Sequence, residues 1–157
     1  MKFNSQICTT KEQSERLLGL GLKRETADCQ YAALVVDWKG NSISNPKWRF
    51  YDHNKGFIIQ NFERMECIPA WSLHRLIEMM PEWISYPTQY DSAPLRINKG
   101  SMYYVHRFFD RNGDEDTSTV GDNDAIGSHN LYDYAVSVIG FLIREGYFCK
   151  EYLEERV

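Results

Sequence analysis

Three helical segments, each with one apolar stripe, are predicted along this 157-residue chain, and short strand-forming runs separate them. The strongest begins at Asn130, a good N-cap with Asp133 in the first turn, and ends at Gly146. Its apolar residues recur at helical spacing: Leu131, Tyr134, Ala135, Val138, Ile139, Leu142 and Ile143. Such a stripe must pack on another apolar surface. We therefore expect the helices to cover a sheet made of the strand-forming runs.

The first helix has clear signals at both ends. Thr9 and Thr10 are candidate N-caps, and Glu12 or Gln13 stands at the spacing of a capping box. The stretch Gly19-Leu20-Gly21 is predicted to end the helix, because glycine readily adopts the left-handed conformation found there. A short helix over the intervening residues is expected.

Pro69 stands where a first-turn proline belongs and predicts the start of the second helix. The residues that follow have the i, i+3, i+4, i+7 spacing of a buried stripe: Leu73, Leu76, Ile77 and Met80. Pro81 is predicted to close this helix.

Strands are predicted where β-branched and aromatic residues concentrate between turn residues. The run from Tyr31 to Trp38 is followed by Gly40-Asn41, which reads as strand and turn. Two predicted hairpins follow, with strands at Lys47–Tyr51 and Phe57–Phe62, and at Leu95–Asn98 and Met102–Phe109.

The order of these elements predicts an α+β fold in a single globular domain over residues 1–157. We expect an antiparallel or mixed sheet of about five strands, with about three helices packed mainly on one face. The predicted core comprises Leu17, Leu34, Val36, Ile59, Leu73, Leu76, Ile77, Ile97, Val138, Ile139 and Leu142.

The charge balance disfavours nucleic acid as a partner. The net charge is −4, so the chain as a whole has no long-range attraction for phosphate backbones. Lys47, Arg49 and Lys55 are close in sequence, but a solvated hairpin face explains them.

The four cysteines lie far apart, without the spacing of a zinc site, and predict reduced thiols in a cytoplasmic protein. The residues after Met1 lack the apolar run of a secretory signal, and no stretch is long and apolar enough for a membrane span. We expect neither export nor a membrane, and the sequence indicates no cofactor, because dinucleotide and phosphate-binding glycine motifs are missing.

Residues 110–130 are predicted to form an exposed loop, since they are almost free of apolar side chains. Asp110, Asn112 and Asp114 match the first ligand positions of a calcium loop, but Glu115 and Gly121 break the rest of that pattern. A metal site is not predicted.

Three blocks of the sequence belong together as a pattern: Thr10–Asp28, Ile68–Pro81 and Tyr134–Tyr147. In these blocks the chain resembles a family of small, uncharacterised bacterial proteins associated with prophages and conjugative elements. The resemblance implies a cytoplasmic protein of a mobile genetic element. It implies no activity, cofactor or catalytic residue, because none is established for the family.

The leading functional hypothesis is a non-enzymatic protein that binds or regulates a protein partner, or forms a homodimer. The high aromatic content, 14% of residues, and the absence of a catalytic motif favour it. The candidate interaction residues are Trp71, Tyr104, His106, Asp110 and Asp114.

Two alternatives stay open. One is a hydrolase-like small-molecule enzyme with a site of separated residues, in which His106 or His129 lies near the acidic residues Asp110, Asp114 and Asp116. The other is a nucleic-acid-binding protein, which the mobile-element context favours and the net charge opposes.

Overall fold

The computed structural model describes residues 6–52, 64–85, 92–98, 101–109, 115–120 and 130–155. Two compact units divide the chain, and the boundary lies between Arg75 and Leu76. Each unit is described separately below, and the single domain over residues 1–157 stays a prediction.

The first unit contains helix α1 (Lys11–Gly19), a 3-10 turn at Arg24–Thr26 and a three-stranded antiparallel sheet. Its strands are β1 (Cys29–Leu34), β2 (Arg49–Asp52) and β3 (Met65–Ala70). Strand β1 is central, in the order β2-β1-β3. The register places Ala32 opposite Arg49 on one side and opposite Cys67 on the other.

Helix α1 begins and ends where the sequence predicts. Thr10 is the N-cap, and its hydroxyl accepts a hydrogen bond from the backbone N–H of Gln13, whose side chain accepts one from Thr10 in return. Gly21 has a φ of +96°, the left-handed conformation in which glycine is favoured. Leu17 is fully buried.

The predicted helix start at Pro69 is wrong, because Pro69 lies inside β3, opposite Gln30. Strand β3 is at the edge of its sheet, where a missing N–H is tolerated. Helix α2 (Leu73–Met79) begins only after Ser72, whose hydroxyl accepts a hydrogen bond from the N–H of Arg75. Pro81 follows the helix as expected.

Strand β2 overlaps the predicted strand Lys47–Tyr51 but pairs with β1. The expected partner, Phe57–Phe62, lies outside the described residues. The predicted strand Tyr31–Trp38 is confirmed over its first half only, because β1 ends at Leu34.

In the second unit the described strands are β4 (Trp83–Ser85), β5 (Ser92–Asn98), β6 (Ser101–Phe109) and β7 (Glu115–Val120), antiparallel and in chain order. The α+β class and the hairpin of β5 and β6 are confirmed. A single sheet of about five strands is wrong, because the described strands divide between two sheets.

The loop predicted over residues 110–130 is wrong for Glu115–Val120, because these residues form strand β7. Its residues are polar, but they pair with β6 along its whole length, from Glu115 opposite Phe109 to Val120 opposite Tyr104. Residues 110–114 and 121–129 lie outside the described part of the chain.

Helix α3 (Leu131–Arg144) packs on β6 and contributes seven buried apolar side chains to the core of the second unit. Asn130 is its N-cap, as predicted, and accepts a hydrogen bond from the N–H of Tyr132. Val138, Ile139 and Leu142 are fully buried.

Two predicted core residues are instead exposed. Leu34 has 48% of its surface accessible and Ile97 has 43%. Within the described residues, no helix combines the length and apolar character that crossing a bilayer requires.

Candidate functional site

The chain that leaves β1 makes a tight turn over Asp37–Asn41, organised by one carboxylate. Asp37 Oδ1 accepts hydrogen bonds from the backbone N–H groups of Lys39 and Asn41, both at 2.8 Å. Its Oδ2 accepts a third from Asn41 Nδ2 at 3.1 Å. These hydrogen bonds lower the pKa of Asp37, and the bond from the backbone N–H of Asn41 has the largest effect. Gly40, with a φ of +86°, completes the turn.

Backbone pairing fixes both arms of this turn. The N–H of Asp37 donates to the carbonyl of Asn41 at 2.9 Å, and the N–H of Ile43 donates to Val35 at 2.8 Å. A bridge between Val36 and Ser42 lies between these two contacts. The turn is therefore fixed by backbone hydrogen bonds between its two arms and by the Asp37 carboxylate within it.

Trp38 lies at the tip of this turn and is 77% exposed. Lys39 Nζ lies 4.7 Å from the centre of its indole ring, within the range of a cation–π contact. A large apolar side chain is thus presented to solvent on a fixed backbone, the arrangement of a preorganised contact residue.

A cleft of about 460 Å³ lies beside the same segment, over one face of the first sheet. Its apolar floor is formed by Ala32 and Leu34 of β1, Met65 of β3 and Ile43 beyond the turn. Ala32 and Leu34 are two residues apart on one strand, so their side chains share a face. Volume and lining are those of a site for a small molecule or a few side chains.

The rim of the cleft is polar and cationic. Lys47, Arg49 and Tyr51 line it from β2 and the residues just before it, and Asn45 lies further along the rim. Lys47 and Arg49 are exposed, and neither forms an ion pair within the described part of the chain. Two uncompensated positive charges therefore stand beside an apolar floor.

Gln30 lies on the same face of β1, two residues before Ala32 and opposite Tyr51. Its side chain is buried, and its Nε2 has no hydrogen-bond partner among the described residues. A buried amide donor without an acceptor is unfavourable. This donor adds a polar group to the face that the cleft covers.

Of the residues predicted to bind a partner, Trp71 is fully buried in the first unit. Its indole Nε1–H donates to Thr26 Oγ1 at 3.0 Å, and its backbone N–H donates to Thr9 Oγ1 at 3.0 Å. Thr9 Oγ1 lies 2.7 Å from Ser14 Oγ. Trp71 thus ties β3 to α1, and this burial removes it from the candidate surface.

Tyr104 is also fully buried, and its hydroxyl donates to the carbonyl of Pro81 at 2.6 Å. Burial raises its pKa, so the hydroxyl stays protonated at neutral pH. His106 belongs to β6, but its side chain is outside the described part, as are Asp110 and Asp114. Those three stay predictions.

Cys8 and Cys29 form a buried thiol pair over Ala70, with Cys8 Sγ 3.2 Å from Tyr31 Oη. A hydrogen bond from Cys29 lowers the pKa of Cys8, against the effect of burial, and the same bond raises the pKa of Cys29. Both thiols are closed off from solvent and serve as core groups. The described residues also contain no cluster of three side chains able to hold a metal ion.

The sequence did not predict that the residues of this turn and cleft form a binding site. Trp38 was expected to end a strand, and Lys47 and Arg49 were expected to be a solvated face. A signal was present: Asp37 stands two residues before Lys39 and four before Asn41, the spacing at which a carboxylate can cap a turn. An aromatic residue inside such a turn points outward.

No family model, curated protein or solved structure matches this chain. The resemblance to the mobile-element family stays a prediction. The blocks that carry it coincide with α1, with β3 and α2, and with α3, which are packing elements.

Proposed function

We propose that this chain is a non-enzymatic protein-binding or regulatory protein of a mobile genetic element. It contacts its protein partner through Trp38 and the adjacent cleft. The exposed indole on a hydrogen-bonded turn is the observation that carries this proposal.

Physical reasons favour Trp38 as a contact residue. Tryptophan is enriched among the residues that dominate binding energy, because it buries a large area with few rotatable bonds. The backbone of its turn is already fixed, so binding pays little to order it. The cleft beside it supplies apolar contact and charge in the same unit.

We place the protein in the bacterial cytoplasm. All four cysteines are free thiols, as reducing conditions allow. The net charge of −4 repels nucleic acid at long range, which favours a protein as the partner. The mobile-element context is taken from the resemblance in sequence.

Quantitative affinity capture from the host bacterium tests the proposal. The Trp38→Ala variant is compared with the unchanged chain and with Trp83→Ala, a matched control because Trp83 is also exposed, at 61%, but lies in the second unit. Loss of a tryptophan at the centre of an interface costs about tenfold or more in affinity. We expect Trp38→Ala to reduce the captured partner by that order and Trp83→Ala to leave it unchanged.

Circular dichroism and thermal unfolding of both variants serve as the folding control, since neither tryptophan belongs to a core. Equal capture by all three proteins would contradict the proposal. Light scattering over a concentration series shows whether the partner is a second copy of the chain.

A further inference from the structure

We infer that the cleft lined by Lys47, Arg49 and Leu34 binds an extended acidic segment of the partner protein that carries an apolar side chain. This inference rests on the proposed function and adds the chemistry of the partner. It joins three features of one surface: two cations that form no ion pair with the described residues, an apolar floor, and the polar side chains of Asn45 and Tyr51.

The charge of the rim selects a negative ligand. Lys47 and Arg49 stand two residues apart and both line the cleft, without an ion pair in the described part of the chain. In an extended peptide, side chains two positions apart point to the same side. Two carboxylates at that spacing can therefore meet both cations at once.

The floor of the cleft selects an apolar group beside those carboxylates. Leu34 keeps 48% of its surface exposed, although it lies at the end of a strand whose neighbours are buried. Ala32 is small, and Met65 is flexible enough to adapt to different side chains. An aliphatic or aromatic side chain fits a floor of this kind and covers Leu34.

Hydrogen-bonding groups on the same face fit a peptide backbone. Asn45 and Tyr51 line the cleft with a side-chain amide and a phenol hydroxyl. Peptide carbonyls are acceptors for such donors.

A peptide fits better than a nucleic acid. Interactions between exposed charges are screened beyond about 8 Å at physiological salt. Two cations can therefore hold a short acidic segment that lies directly on them, but they offer a long polyanion few of the phosphate contacts that nucleic-acid binding requires, on a chain whose net charge is −4.

Selection from a displayed library of random peptides tests the inference, with the full chain as bait. We expect the recovered peptides to be enriched in Asp and Glu around a large apolar residue. The affinity of a fluorescein-labelled recovered peptide is then measured by fluorescence anisotropy. The double variant Lys47→Glu/Arg49→Glu should weaken it about tenfold or more, and high salt should weaken it as well.

The matched control is Arg96→Glu/Lys150→Glu, which makes the same charge change at exposed positions of the second unit. It should change the affinity by less than about threefold. Recovered peptides without acidic residues, no recovered peptide, or equal loss in both double variants would overturn the inference. So would retention of a labelled single-stranded oligonucleotide that depends on Lys47 and Arg49, or self-association that depends on them.

The same capture experiment separates this inference from the proposed function. If Lys47→Glu/Arg49→Glu captures the partner normally while Trp38→Ala does not, the partner binds at the turn and the inference about the cleft fails alone. If neither variant changes capture, the proposed function fails as well.

Discussion

Asp37 sets the geometry of the exposed turn with a single carboxylate. The carboxylate accepts its three hydrogen bonds only in the folded turn, so its pKa is lower there than in the unfolded chain. The stabilisation of the turn is therefore complete above the unfolded pKa of an aspartate, about 3.9, and is lost as the pH falls through the lower folded pKa.

An NMR titration of the Asp37 carboxyl carbon checks this. We expect a midpoint below that of an aspartate in an unstructured peptide, and a concurrent shift of the Trp38 indole signal as the turn opens. An aspartate in a short unstructured peptide, titrated under the same conditions, serves as the reference. A midpoint for Asp37 at or above the peptide value would show that the three bonds do not hold the turn in solution.

Residue type alone did not identify the exposed tryptophan. Trp71 looked available to a partner because Pro69 was taken for a helix start, and the same residues form a buried strand. Trp38 looked like part of a strand because the run before it is rich in strand formers. Trp38 faces solvent because β1 ends at Leu34 and the chain then turns over Asp37–Asn41.

At the scale of elements, the ends of α1 and α3 and the local hairpin of β5 and β6 were predictable, whereas the start of α2 and the pairing of distant strands were not. Thr10, Gly21, Asn130 and Gly146 mark helix ends through hydrogen bonds or backbone angles within a few residues, so the local sequence contains the signal. Strand pairing joins distant segments, as β1 with β3, and no local pattern specifies it.

The corrected start of α2 predicts the effect of a substitution at Ser72. Its hydroxyl caps the helix at Arg75 and donates to Asp28, whose other carboxylate oxygen accepts the N–H of Ser72 at 2.8 Å. Ser72→Ala removes this cap and should lower the free energy of unfolding by about 1 kcal/mol.

Urea denaturation measures that change, with Ser85→Ala as the control, because Ser85 is exposed in a short strand. The control should change the free energy by less than about 0.5 kcal/mol. Equal stability of the Ser72→Ala variant and the unchanged chain would contradict a helix that starts at Leu73.

At the scale of the whole molecule, the order of elements predicted the α+β class but not the division of the strands between two sheets. Two strands were also missed: β3, because it contains a proline, and β7, because its residues are mostly polar. Lys47 and Arg49 were visible in the sequence as a local basic cluster, but the sequence did not show that both side chains line one cleft.

Photo-crosslinking in the native host cell tests the central claim most directly. Trp38 is replaced by the crosslinking residue p-benzoylphenylalanine, which keeps a large aromatic group at the tip of the turn, and the same replacement at Trp83 is the control. We predict a discrete crosslinked protein band from position 38 and none from position 83. No band from position 38, or the same bands from both positions, would contradict a partner that binds at the turn.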